Sequence, residues 1–497
     1  MKMHLIDWTI CVSFVLVLVW VALFFRKFGS SVTGFLAANR CAGRYLLCVA
    51  SNMAATGIIT LVWFFQQYYD SGWTSVWWGF MENPAMIALA ITGWVVYRFR
   101  ETRALTLAQF FEERYSKSFR VFCGVIAFVA GVVNYAIFPA VSARFLMGMC
   151  GFPEQMQLFG GTCDTYLLIM GTLLCMALFF VFAGGQIVIM VVDFLQGVFC
   201  NVAFLVIIGF CIVTFGWERI SSTMVEEQWN GQAVTWSVDA TPRSDAHVDW
   251  DAFVIGGALG PNAQLVSAEP GTDGATRLTV RGRPSPQEHL PVTLGPVALH
   301  LNGVEAAAEQ GPPDGRSMVH PLGIKHEDNF NVFYWLISAF IIFYAAKAWQ
   351  GGQGFNASAL NPHEAKMAQI LTGWKWRVLM LVALVVPVCV KVFLHHPDFA
   401  GQAELVNAHL DQLTATVVGT GSESAETAKS FAAQMRTPLV LGEILPVGMM
   451  GLMAAALLGA YLSTDNSYLH SWGAILIQDV VLPFRTKPIT QRMHLWL

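Results

Sequence analysis

PVGMMGLMAAALLGAYLSTDNSYLHSWGAILIQDVVLPF, residues 446–484, begins as a membrane helix and then departs from one. Its first half is apolar, uncharged and rich in Gly and Ala, which let neighbouring helices approach closely. Where the run should stay apolar it turns polar: Ser463, Thr464, Asp465, Asn466, Ser467, His470 and Ser471. At helical spacing Ala456, Ala460, Ser463, Ser467 and His470 fall on one face. Polar groups at membrane depth cost free energy unless protein, ion or cavity water satisfies them, so the stripe marks a bundle interior or a pathway. Interhelical hydrogen bonding would explain a lone Ser or Thr. Two adjacent hydroxyls, with more polar residues one and two turns later, leave both readings open, and a second stretch has to decide.

Composition sets the class. Of 497 residues 55% are hydrophobic and 12% charged, about half the charged share of a soluble domain. Nine segments are long enough to span a bilayer: about 5–25, 45–69, 76–97, 119–148, 165–183, 186–215, 330–348, 373–394 and 446–470. The first is no signal peptide, because Arg26 and Lys27 follow its apolar run instead of preceding it. With the N-terminus outside, the connections that face inward carry Arg26, Lys27, Arg40 and Arg44, then Arg98 to Arg120, then Lys347, Lys366 and Lys375, then Arg485, Lys487 and Arg492. The outer connections 70–75 and 149–164 carry no Lys or Arg, the asymmetry of the positive-inside rule. Most cysteines lie in spans, where a thiol is a small apolar residue. Cys150 and Cys163 share one outer loop; two cysteines around a loop are weak grounds for a disulfide.

The second span supplies the partner stretch, Ser51-Asn52-Met53-Ala54-Ala55-Thr56-Gly57. Small and hydrogen-bonding residues ending in Gly predict a local break in the helix. Irregular backbone at this depth survives where it lines a cavity or binds something, and a Na⁺ ion would partner the freed carbonyls. A tight helix crossing through Ala54 and Gly57 is the alternative. Beyond it, Trp63, Phe64, Phe65, Tyr68, Tyr69, Trp73, Trp77 and Trp78 crowd the outer end as an interfacial belt that a ring-shaped solute could also use. Glu82 and Asn83 follow just inside the third span, and Asp193 and Gln196 sit near the inner end of the sixth. An intramembrane carboxylate is a functional candidate by default. Gly184-Gly185 makes a tight turn between spans five and six.

Thr106…Gln109-Phe110…Arg114-Tyr115…Arg120, Gly184-Gly185…Asp193…Gln196-Gly197 and Gly451…Ala460-Tyr461-Leu462-Ser463-Thr464…Ser467, in this order and spacing, resemble the sodium:solute symporter family, which includes bacterial proline and galactose transporters. The resemblance implies a leucine-transporter-like inverted repeat preceded by one extra N-terminal helix, with ion and solute near the midplane at broken helices. It implies a principal Na⁺ site built from the carbonyls of Ala54, Gly57 and Ala460 and the hydroxyls of Ser463 and Thr464. A second Na⁺ position would use Asp193, Ser463, Asn466 and Ser467, with Asn466 where a hydroxyl is usual. Solute contacts are expected between spans two, three and seven, from Ser51, Phe64, Gln67, Glu82, Trp349 and Gln353. Sugar-carrying relatives show an Asn-Gln-Tyr and a Gln-Arg near the seventh span; here no Tyr is present and Gly354 replaces the Arg, so a hexose does not carry over. The inverted repeat needs two more spans after the ninth, so the sequence is expected to be truncated, with an incomplete second repeat.

Residues 217–328 hold fifteen Asp/Glu against seven Lys/Arg, with turn signals at Asp273-Gly274, Gly295-Pro296 and Asn302-Gly303. They read as a small β-rich insertion outside the membrane, with or without a partner of its own. Three parts follow: 1–216, the N-terminal helix and first repeat; 217–328, the insertion; 329–497, the partial second repeat. Residues 395–437 form a shorter outer segment with one amphipathic helix near Ala425–Gln434. The expected protein is an all-α polytopic protein of a bacterial-type inner membrane, coupling Na⁺ to entry of a small organic solute by alternating access. The alternative is a transporter-derived sensor that binds solute without moving it. No metal-ligand spacing, phosphate loop or nucleophile elbow points to an enzyme, and no nucleic-acid partner is expected.

Overall fold

The computed structural model describes residues 2–158, 161–225, 234–242, 264–270, 276–282, 299–301, 304–309, 318–321, 330–345, 349–419, 425–485 and 490–496. The chain opens with α1 (Leu5–Phe25), uncharged except for Asp7, then α2 (Val32–Ala37), α3 (Arg44–Ala54) and α4 (Ile58–Ser71). The third span is made in pieces: α5 (Thr74–Gly79), α6 (Asn83–Thr92) and α7 (Val96–Thr102). Helices α8 (Leu107–Arg114), α9 (Lys117–Tyr135) and α10 (Phe138–Cys150) follow, with Thr106 and Ser116 as N-caps of α8 and α9. A hairpin of β1 (Gln155–Leu158) and β2 (Gly161–Asp164) leads into α11 (Thr165–Phe215) and α12 (Trp217–Val225).

Five strands come next: β3 (Val234–Pro242), β4 (Gln264–Pro270), β5 (Thr276–Gly282), β6 (Leu299–Leu301) and β7 (Val304–Glu309). They pair antiparallel in the order β4-β5-β3-β7-β6. The turn signals at Asp273-Gly274, Gly295-Pro296 and Asn302-Gly303 lie outside the described residues. The chain returns to helix with α13 (Val332–Ala345), α14 (Gln353–Ser358), α15 (Pro362–His395), α16 (Ala400–Gly419) and α17 (Ala425–Ile444). It ends in α18 (Met449–Ile475), a π-helical turn at Leu476–Val481, α19 (Leu482–Phe484) and α20 (Gln491–Trp496).

The predicted break in the second span is present. Helices α3 and α4 are bent by 67° across Ala55–Gly57. The predicted turn at Gly184-Gly185 is present too, inside α11, where Gly185 has φ +59°. Both ends of α11 lie at one end of the bundle: Tyr166 packs under Arg144, which also covers Phe431, and Trp217 stacks on Trp73. Gly184 and Gly185 pack against Gly29 and Phe35 at the opposite end, so α11 doubles back on itself there.

The sequence led to nine spans; five described helices are long and apolar enough to cross a membrane, and the bent pair α3–α4 makes a sixth. The bundle is thus a polytopic all-helical membrane protein. The count differs for physical reasons. α11 is one run of helix with a fold in it where two spans were expected, α13 is short, and α18 is too polar to face lipid, whereas span 119–148 counts as one despite its interruption at Ala136-Ile137. Residues 395–437 form α16 and most of α17, two helices instead of one. Cys150 and Cys163 are separate thiols, one buried and one half-exposed.

Charge separates the two ends. Around the N-terminus, acids and bases pair: Lys2 with Glu443 at 2.6 Å, Arg219 with Asp398 at 2.7 Å, Arg436 with Asp70 at 3.8 Å. At the other end arginines are in excess: Arg44 pairs with Glu364, while Arg100 donates to the Ala359 carbonyl at 2.6 Å.

Candidate functional site

Helix α18 lies almost wholly inside the bundle, packed on α1, α3, α9 and α11. Small residues allow the approach. Gly197 of α11 sits on Val49 and Met53 of α3, and the Cys200 thiol donates to the Ala456 carbonyl at 3.3 Å. Two faces of α18 carry polar groups.

The first face is the one expected from the sequence. Ser463, Thr464 and Ser467 are buried, and none of their hydroxyls makes a hydrogen bond of full geometry. A helical Ser or Thr normally satisfies itself by donating to the carbonyl four residues back. Thr9, Thr56, Ser71, Thr92, Thr172, Ser358, Thr372 and Thr414 all do so in this chain. The α18 hydroxyls forgo that bond and point elsewhere. Thr464 meets the break: a Cβ on Gly57 would lie 3.0 Å from Thr464 Oγ1. Around the break Ala55 and Thr56 donate to Asn52 and Met53, Gly57 accepts from Leu61, and no donor among the described residues reaches the Ala54 carbonyl. Ala460 is fully buried one turn away, in regular helix where its carbonyl already serves the ladder.

Asp193 of α11 approaches one of these hydroxyls, that of Ser463. It is 0% exposed, and its carboxylate interacts with the Ser463 hydroxyl without reaching hydrogen-bond geometry. Both amide atoms of Asn466 are likewise buried and unpartnered. Ser463, which belongs to both predicted sets, is thus beside Asp193 of α11, and its neighbour Thr464 is beside Gly57 of the break. Buried oxygens are normally hydrogen-bonded or completed by water or an ion, so their concentration on this face of α18 makes it a candidate cation site. The side chains offer oxygen donors with one carboxylate, which suit a hard cation; the thiolate and imidazole ligands that soft transition metals prefer are not among them. Among the described residues no group of three or more His, Cys, Asp or Glu could hold a metal.

The predicted solute contacts divide. Trp349, in the interrupted stretch between α13 and α14, donates from Nε1 to the Tyr468 hydroxyl of α18 at 2.7 Å. Gln353 lines a small cavity with His470 and Ser471. Ser51 is half-buried on α3. Phe64 stacks on Tyr68, with ring centroids 6.2 Å apart, and Gln67 is buried with neither amide atom hydrogen-bonded. Glu82 is no unpaired carboxylate: it accepts from Ser338 of α13 at 2.6 Å.

The second face of α18 went unrecognised in the sequence. Tyr461, Asp465, Tyr468 and Trp472 repeat at spacings of four, three and four, one helical stripe turned toward α9 and α10. Asn134 donates to the Tyr468 hydroxyl at 3.1 Å, and Tyr135 meets Trp472 edge-on at 4.9 Å. Phe138 packs edge-on against Tyr468 at 5.0 Å. The stripe faces the junction of α9 and α10 at Ala136-Ile137 and reaches Trp349 before α14. Its signal was present as Asp465 in an apolar helix, a residue the sequence places among the polar ones but assigns to no face.

No protein-family model and no curated protein matches the chain. Among solved structures, a Na⁺-coupled sialic acid symporter in a substrate-bound outward-open state matches with a TM-score of 0.63 and 12% identity, over 99% of this chain and 77% of that one. The chain has the fold of a sodium-coupled symporter. At that identity the likeness fixes the fold, and the chemistry has to be argued from the residues.

Proposed function

We propose that this protein is a sodium:solute symporter, in which Na⁺ and a small organic solute bind together and cross by alternating access. One observation carries the reading: two buried hydroxyls of α18 that make no bond to their own helix approach other elements, Thr464 the unwound segment of α3–α4 and Ser463 the carboxylate of Asp193. Broken helices meeting at a buried site are the architecture in which secondary transporters hold ions. The Na⁺ ligands are the hydroxyls of Ser463 and Thr464 with the carbonyls of Ala54, Gly57 and Ala460; Asp193, Asn466 and Ser467 form a second position beside them. Transport requires the ion to bridge α18 and the α3–α4 break, holding one conformation open until solute arrives. The fold relative is a Na⁺-coupled symporter whose structure revealed a novel Na⁺ site, which supports Na⁺ as the coupling ion here. Each Na⁺ crossing the whole field gains about 2.3 kcal/mol per 100 mV.

The test needs no knowledge of the solute. Binding of ²²Na⁺ to the purified chain should be saturable, and Ser463→Ala with Thr464→Ala should weaken it at least about tenfold, the loss of about 1.4 kcal/mol of coordination. Equal Na⁺ affinity in the double variant would remove these hydroxyls from the ion path.

A further inference from the structure

Asp465 is 2% exposed, on the face of α18 turned away from the ion site. The hydroxyls of Tyr135 and Tyr461 both approach its carboxylate, yet Tyr135 OH, Tyr461 OH and Asp465 Oδ1 all lack a completed hydrogen bond. No Lys, Arg or His among the described residues forms an ion pair with it. The surrounding side chains are aromatic. Tyr468 packs edge-on against Trp472 at 5.3 Å and against Trp349 at 5.7 Å, and Trp472 in turn meets Tyr135. These groups come from α9, α18 and the stretch just before α14.

A carboxylate in a dry interior is costly; it either holds a proton or is ionised beside a group of opposite charge, so a bound cation would displace the proton and complete it. Lysine or arginine from the chain would have done so permanently. Tyrosine hydroxyls and ring faces complete it only in part. Ring faces carry negative potential, so tyrosine and tryptophan around a carboxylate form a site for an organic cation. A neutral polyol would use the hydroxyls but leave the charge uncancelled.

We propose that Asp465, with Tyr135, Tyr461, Tyr468, Trp349 and Trp472, binds the positively charged nitrogen of the transported solute, an amine or quaternary ammonium compound. This rests on the symport reading and adds the solute's charge to it. The Na⁺ and the ammonium occupy opposite faces of one helix, so a single displacement of α18 would carry both.

The experiment uses the full chain in lipid nanodiscs, with radiolabelled tetramethylammonium and n-propylammonium as probes. Their neutral counterparts, tert-butanol and n-propanol, serve as competitors, and ²²Na⁺ binding is followed in parallel. At least one cation should bind saturably and more tightly with Na⁺ present, and its neutral counterpart should compete at least tenfold less well. Asp465→Asn should weaken cation binding at least tenfold while ²²Na⁺ still binds, which also certifies the fold of the variant. Asp465→Glu should retain part of the affinity, and Tyr135→Phe should lower it severalfold. If ²²Na⁺ binds but neither cation does, if neutral analogues compete equally, or if Asp465→Asn binds the cation unchanged, the solute assignment is overturned and symport stands. If the wild-type chain binds no ²²Na⁺, symport itself fails.

Discussion

Gly57 is placed where one methyl group would report on the ion site. Its backbone is extended, at φ −85° and ψ 163°, so alanine fits the conformation, but the added Cβ would press on Thr464 Oγ1 at 3.0 Å and on Thr464 Cγ2 at 3.3 Å. Gly57→Ala is therefore expected to weaken Na⁺ binding severalfold through sterics alone. The combination with Thr464→Ala should be no worse than Thr464→Ala by itself, because two residues in contact couple non-additively. Isothermal titration with Na⁺ across the four proteins checks this; simple additivity would separate the break from the hydroxyl. At this scale the sequence is half legible. Adjacent Ser463 and Thr464 and the Ser51–Gly57 stretch announce themselves by residue type. Asp465 did not, because successive helical residues point about 100° apart and only packing says which neighbour each one meets.

Element by element, α18 is held at both ends by residues far away in the chain. At its start, Asp7 of α1 accepts from the Gly448 and Gly451 amides at 2.7 and 2.8 Å, an N-cap supplied by another helix. Asp7→Ala should cost about 1–3 kcal/mol of stability, since it strands two buried amides, and Asp7→Asn should cost less because an acceptor oxygen remains. Thermal unfolding in detergent measures both; equal effects would reduce Asp7 to a packing residue. Beyond the other end, the π-helical turn frees the Gln478 carbonyl for Arg120 at 2.5 Å. Arg120 also reaches Asp479 at 2.9 Å and Glu112 at 2.5 Å, and Thr106 donates to Asp479 at 2.7 Å. Arg120→Ala leaves Asp479 buried and short of its countercharge, an expected loss of about 3–5 kcal/mol. Adding Asp479→Asn to that variant should restore part of it in the same unfolding assay. Thr106, Arg120 and the polar helix were all visible as motifs, but their junction across more than 350 residues was not.

For the whole molecule, charge decides orientation. The end bearing Arg44, Arg100 and Arg120 is expected to face the cytoplasm, since lysine- and arginine-rich connections stay on that side. In a background lacking Cys41, Cys163 and Cys175, Glu154→Cys should react with an impermeant maleimide in intact cells. Ser116→Cys should react only after permeabilisation, and the reverse pattern would invert the topology. Composition and periodicity by themselves determined that the chain is a helical membrane protein, where its second span breaks, where α11 turns back and which helix is polar within. Those features rest on local chemistry: apolar length, glycine, and hydroxyls with no water to meet. Tertiary structure alone decided that Thr464 meets Gly57, that Asp7 caps α18, that Glu82 is engaged by Ser338, and that Asp465 faces Tyr135 and Tyr461. Side-chain partners hundreds of residues apart leave no periodic trace in a sequence, because the force that pairs them acts only once the helices have packed.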